Sequence, residues 1–158
     1  MGRRWRGRLY RSQCQRDEEE KRDTNTIVLD TSAIIDFLRK GETTRRIIER
    51  GKKQGHAVGI TSISVFELLS PIFHRRLFKR EKAVRALSRE SLFLALDAPA
   101  TEEASKIMGS LLRIGKPINA LDVLISGIAV ANGADEIVTS DKDFQTIQKV
   151  ANISVTMI

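Results

Sequence analysis

Cysteine is nearly missing from this chain: Cys14 stands alone, and the only histidines are His56 and His74. One thiol cannot form an internal disulfide framework, and without a CxxC pair or a Cys/His cluster the usual zinc sites are excluded. Aromatic residues make up only 5% of the 158 residues, so isoleucine, leucine, valine and alanine must fill the core. No apolar run approaches the roughly 18 residues that a membrane-spanning helix needs. The opening segment, MGRRWRGRLYRSQCQRDEEEKRD, has no apolar centre of the kind a secretory leader carries. Together these absences lead to the expectation of a cytoplasmic, single-domain protein with no membrane contact.

Charge is plentiful. Lys and Arg number 27 against 20 acidic residues, a net charge of +7, which favours a polyanionic partner. The charge is unevenly spread. Residues 1–25 hold eight basic and five acidic residues with no helical or strand periodicity, and read as a flexible extension. The folded domain is expected over 26–158.

There, short apolar runs alternate with amphipathic stretches. Strands are expected over 27–29, 57–60, 136–139 and 153–155, with 92–96 a short strand or connector. Between them lie helices. The first is capped by Thr31 or Ser32 and runs to about Leu38, and the second occupies the forties. The third starts at Thr61 or Ser62 and ends at Pro71, and a basic helical stretch follows over 75–89. Pro99 opens another helix, the apolar segment 120–131 forms the next, and a short one begins near Phe144. Continuous apolar strands alternating with helices indicate an α/β fold with a central parallel sheet of four or five strands.

The acidic residues then become informative. In IVLDTSA, three apolar residues run into Asp30, and EIVTSD ends a second strand on Asp141. In parallel α/β sheets, functional groups gather beyond the carboxyl ends of strands. Two further acids sit in apolar helical surroundings, Glu67 in SISVFELLS and Asp122 in INALDVLISG, and neither has a basic residue three or four positions away. Buried acids need compensation. A divalent cation supplies it when several carboxylates converge, and oxygen ligands suit hard ions such as Mg2+ or Mn2+. Asp143 is a weaker candidate, either supporting the site or capping the helix at Phe144. Thr31, Ser32, Thr139 and Ser140 are placed to orient carboxylates or water. A metal, carboxylates and a basic surface together point to phosphodiester hydrolysis.

The segments IVLDTSAIIDFL, SISVFELLS, INALDVLISGIAVANGADEIVTSDKDF and ISVTMI resemble the PIN-domain ribonucleases, specifically the VapC toxin type. The resemblance spans about residues 26–158 and maps onto Asp30, Glu67, Asp122 and Asp141 as catalytic and metal-holding residues, with Asp143 beside them. It implies a three-layer α/β/α PIN-like domain, Mg2+- or Mn2+-dependent endoribonuclease activity on RNA, a small antitoxin partner and a homodimer. Apolar residues near Leu68, Leu69, Ile72 and Leu77 are the sequence motive for the dimer. The N-terminal extension departs from the compact family pattern.

Other readings predict different patterns. A PIN-type RNA-processing nuclease outside a toxin pair would share the same acids. A non-catalytic RNA-binding or partner-regulation module would share the charge, but the acids would repel RNA if no metal were bound. A phospho-accepting domain would pair acids near the first strand, and an Asp-x-Asp phosphatase would not have Ser32 at its second position.

Overall fold

The structure, a computed structural model, describes residues 25–158. The charged extension expected over 1–25 therefore lies outside the described residues, apart from Asn25. Five strands form one sheet: β1 (Thr26–Leu29), β2 (Ala57–Thr61), β3 (Leu92–Leu94), β4 (Glu136–Thr139) and β5 (Ser154–Met157). Their order is β3-β2-β1-β4-β5, and every neighbouring pair is parallel. β1 is central, with Ile27 opposite Val58 on one side and Glu136 on the other. All four of its residues are buried, as a strand covered on both faces requires.

Among the described residues, seven helices cover the sheet: α1 (Thr31–Leu38), α2 (Glu42–Lys53), α3 (Ser62–Arg75), α4 (Phe78–Glu90), α5 (Ala98–Arg113), α6 (Ala120–Ala131) and α7 (Asp143–Ile147). Alternation along the strands divides the core in two. Ile27 and Leu29 pack with Ile34, Ile48, Leu68 and Val84 from α1 to α4. Val28 and Ile137 point the other way, onto Ile107, Ile128 and Phe144 from α5 to α7. This is the expected three-layer α/β/α arrangement. The chain steps outward from β1 to β3, then returns past β1 to β4. Right-handed crossovers therefore put the later helices on the opposite face. α5 and α6 approach closely at Gly127, where an added Cβ would lie 2.5 Å from Ala104 Cβ.

Several local expectations change. Asp30 caps α1, its carboxylate accepting from the Ser32 backbone N–H, so the strand-terminal acid takes the role expected of Thr31 or Ser32. Pro71 does not end α3, which continues to Arg75. Burial of Leu68 and Ile72 in the core favours continuation across the lost hydrogen bond, and Arg76, in the left-handed region at φ 53°, ends the helix. The same burial removes Leu68 and Ile72 as surplus apolar surface. On α3 the exposed large hydrophobic side chains are Phe66 and Phe73, at 59% and 54%.

Candidate active site

The order of strands reverses between β1 and β4, and at such a reversal the flanking loops separate to leave a crevice beyond the carboxyl ends. Asp30 follows β1 there, and Asp141 follows β4 by two residues. A hydroxyl network ties the two strand ends together. Asp30 Oδ2 accepts from Ser32 N at 3.3 Å, Ser32 Oγ at 2.8 Å and Thr139 Oγ1 at 2.8 Å. Ser140 N donates to Ser32 Oγ at 2.9 Å, and Asp141 N donates to Thr139 Oγ1 at 2.9 Å. All three bonds to Asp30 fall on one oxygen, which leaves Oδ1 for another partner.

Asp122 enters from the first turn of α6, which Asn119 Oδ1 caps by accepting from Leu121 N at 3.2 Å. Asp143 enters from the first turn of α7. Single carboxylate oxygens of Asp122, Asp141 and Asp143 all lie within 4.8 Å of one another. Glu67 reaches the same region from the middle of α3, and its Oε2 accepts from Thr31 Oγ1 at 2.6 Å. The first two residues of α1 thus each hold an acid: Thr31 holds Glu67, and Ser32 holds Asp30.

Asp122 is 8% exposed. Its carboxyl is pushed up to about 7, first by burial and then by the charges of Asp30, Asp141, Glu67 and Asp143. All five acids therefore share one electrostatic environment. Three of them sit at helix N-termini, Asp30 as the cap of α1 and Asp122 and Asp143 in first turns, where the helix dipole partly offsets their repulsion.

Of the two roles expected for Asp143, supporting the site or capping the last helix, the cap is not the one it takes. Instead, its backbone N–H donates to Asp141 Oδ1 at 2.9 Å, and Lys142 occupies the N-cap position without a side-chain bond. Asp141 is thereby fixed at both its N–H and one carboxylate oxygen, while Asp143 presents its exposed carboxylate beside it. Arg39, the C-cap of α1, lines one groove with Glu67 and another with Ser32 and Ser140. It was not legible in the sequence, where it is one of many surface arginines.

The donor set suits a hard divalent cation: oxygen ligands only, close together, with excess negative charge that a cation would relieve.

A family model described as the PIN domain matches residues 27–150. No curated protein sequence matches the chain. Solved structures do. VapBC2 from Rickettsia felis, bound to a DNA fragment from its promoter, aligns with a TM-score of 0.73 at 19% identity, covering 84% of this chain and 98% of that one. DNA-bound VapBC from Salmonella typhimurium aligns at 0.69 and 22% identity, covering 85% and 98%. VapC20 from Mycobacterium tuberculosis, described as a toxin that cleaves the sarcin-ricin loop, aligns at 0.57 and 17%, covering 81% and 98%. At these identities the likeness is one of fold.

Proposed function

The chain belongs to the PIN-domain family, and on that premise we propose that it is a divalent-metal-dependent endoribonuclease acting as the toxin of a toxin–antitoxin pair. The observation that carries the reading is the convergence of Asp122, Asp141 and Asp143 within 4.8 Å at the strand reversal. With Asp30 and Glu67 alongside, these residues would hold Mg2+ or Mn2+. A bound cation of this kind supplies Lewis acidity to a phosphodiester and offsets the charge of phosphate against carboxylates. Asp30, Glu67, Asp122 and Asp141 form the proposed catalytic set. Ser32, Thr139 and Thr31 keep two of these acids oriented, and the basic surface draws the polyanion in.

The toxin role and an antitoxin partner are supported by the neighbours' descriptions as VapBC complexes. RNA as substrate is supported by the description of VapC20. No described helix is long and apolar enough to cross a membrane, in keeping with a cytoplasmic site of action. A homodimer, proposed from the family, should give twice the chain mass in sedimentation; a monomeric mass at high concentration would remove it.

Purified full-length protein should cleave single-stranded RNA with Mg2+ or Mn2+ and stop when a chelator is added. Cleavage at an undiminished rate in excess chelator, after a contaminant control, would defeat the reading. Growth arrest on expression, relieved by the product of a neighbouring gene, is the outcome expected of a toxin rather than a housekeeping processing enzyme.

The two late aspartates give a finer test. Calorimetric Mn2+ titration should show weaker binding in both Asp141→Asn and Asp143→Asn, with the larger loss, about tenfold or more, in Asp141→Asn. The order follows from Asp141 being fixed by Thr139 and in turn supporting Asp143. Binding unchanged in Asp141→Asn with a large loss in Asp143→Asn would reverse it.

A further inference from the structure

A groove of about 460 Å³ runs between α1, α3 and α4, with Glu67 on its inner wall. Leu38, Pro71 and Leu77 contribute apolar surface, and Arg39, Arg75, Lys79 and Arg80 contribute four cationic side chains. Among the described residues none of these four takes part in an ion pair, as is true of most described Lys and Arg residues; what sets them apart is that they line one groove with Glu67. Arg39 also lines a second groove, of about 350 Å³, with Ser32, Thr43, Ser140 and the Asp36 carboxylate, which Thr44 Oγ1 holds by a hydrogen bond. The two grooves thus meet at Ile35 and Arg39; the first is lined by Glu67 and the second by Ser32, whose hydroxyl donates to Asp30.

We infer that these grooves form one track for a single-stranded RNA, whose phosphates bind Arg75, Lys79 and Arg80 at the outer end and Arg39 where the strand passes the acids. This rests on the nuclease reading and extends it to how substrate is held. A polyanion approaching a cluster of carboxylates needs compensating cations close by, because interactions beyond about 10 Å are screened at ordinary ionic strength. Arg39 stands nearest to meet that need, and Arg75, Lys79 and Arg80 hold the strand farther along the groove. The apolar floor suits ribose and base faces, which stack without regard to sequence. Phe78, next to Lys79 in sequence, adds a 68% exposed aromatic side chain on the same helix. A polypeptide with an acidic amphipathic segment would also meet a basic, partly apolar groove. The continuity through Arg39 from the Glu67 groove to the groove carrying the Ser32 and Ser140 hydroxyls favours the nucleic acid.

The test uses full-length protein carrying Asp30→Asn, so that RNA stays intact, and a short fluorescein-labelled single-stranded RNA followed by anisotropy at several salt concentrations. Adding Arg75→Gln, Lys79→Gln and Arg80→Gln together should weaken binding about tenfold or more and reduce the slope of log affinity against log salt by about 2, since each phosphate contact on a single strand contributes about 0.7. All three residues are exposed, so the melting temperature should hold. Arg75→Lys with Arg80→Lys should retain most of the affinity. Arg45→Gln, Arg50→Gln and Lys53→Gln on α2, which line neither groove, should cost less than about threefold.

Equal losses from the two neutralised sets would show a diffuse field and overturn the track. Unchanged affinity in the groove variant would also overturn it and leave the groove to a polypeptide partner. The two readings fail separately. RNA bound through the groove but uncleaved by the native sequence with Mn2+ would support the track and remove the nuclease. Cleavage with groove-independent affinity would do the reverse.

Discussion

Replacing Asp30 by asparagine should lower RNA cleavage by about a hundredfold or more, the usual cost of removing one preorganised charged group from a reaction centre, while the fold survives. Survival follows from local chemistry. Asparagine is as good an N-cap as aspartate, so α1 keeps its start. The amide oxygen can still accept from Ser32 N, Ser32 Oγ and Thr139 Oγ1. The amide nitrogen must then occupy the position of Oδ1, the oxygen those three bonds leave for the site. An acceptor becomes a donor, and one negative charge disappears from a cluster proposed to hold a cation. Single-turnover rates at saturating Mn2+ measure the chemical loss, and thermal melting confirms the fold. A rate within about threefold of the native protein would sink the assignment of Asp30 to the reaction centre.

The second large effect concerns Asp122 and pH. In the unfolded chain its carboxyl loses a proton near the ordinary value of 3.8, and in the folded protein near 7. Between these values the folded state holds a proton that the unfolded state has released, so raising the pH across this window destabilises the metal-free fold. The contribution is intact below about pH 4 and lost as pH passes 7. Asparagine at position 122 cannot ionise. Metal-free Asp122→Asn should therefore melt higher than the native protein at pH 8, by on the order of 5 °C, and the two should converge near pH 4. A bound cation reverses the comparison, because it favours the ionised carboxylate. The native protein should gain stability on adding Mn2+, and Asp122→Asn should gain far less. Native Mn2+ affinity should also rise about tenfold per pH unit below 7 and level off above it, as one proton is displaced. Parallel melting curves for the two proteins from pH 4 to 8 would contradict the strain assigned to this carboxyl.

Much of the architecture was legible because strands buried on both faces cannot hide their composition. Ile27, Val28 and Leu29 must all be apolar, since neighbours cover them above and below. The acids stood out for the opposite reason: Glu67 and Asp122 interrupt apolar helices without a local cation to pair with. What failed was decided by tertiary packing. Pro71 is a helix breaker by its own chemistry, yet Leu68 and Ile72 are buried on the same helix and carry it through. The bond from Asp143 N to Asp141 Oδ1 depends on how the chain turns after β4, which residue preferences do not specify. Arg39 gained meaning only when folding set it between two grooves.

The placement of β4 against β1 also bears on when the protein becomes competent during its synthesis. β1 emerges first, but its partner on the far side is more than a hundred residues away, as are the Thr139 hydroxyl that steadies Asp30 and the Asp135 carboxylate that accepts from Thr26 N. A ribosome that has made everything through α6 has produced Asp30, Glu67 and Asp122, yet has not supplied the strand that completes the crevice. Such long-range pairing also slows folding, because the intervening chain must be closed before the contact forms. A prematurely terminated chain lacking β4 would carry three of the acids without the strand that completes the crevice, so the site is assembled only after β4 has been made.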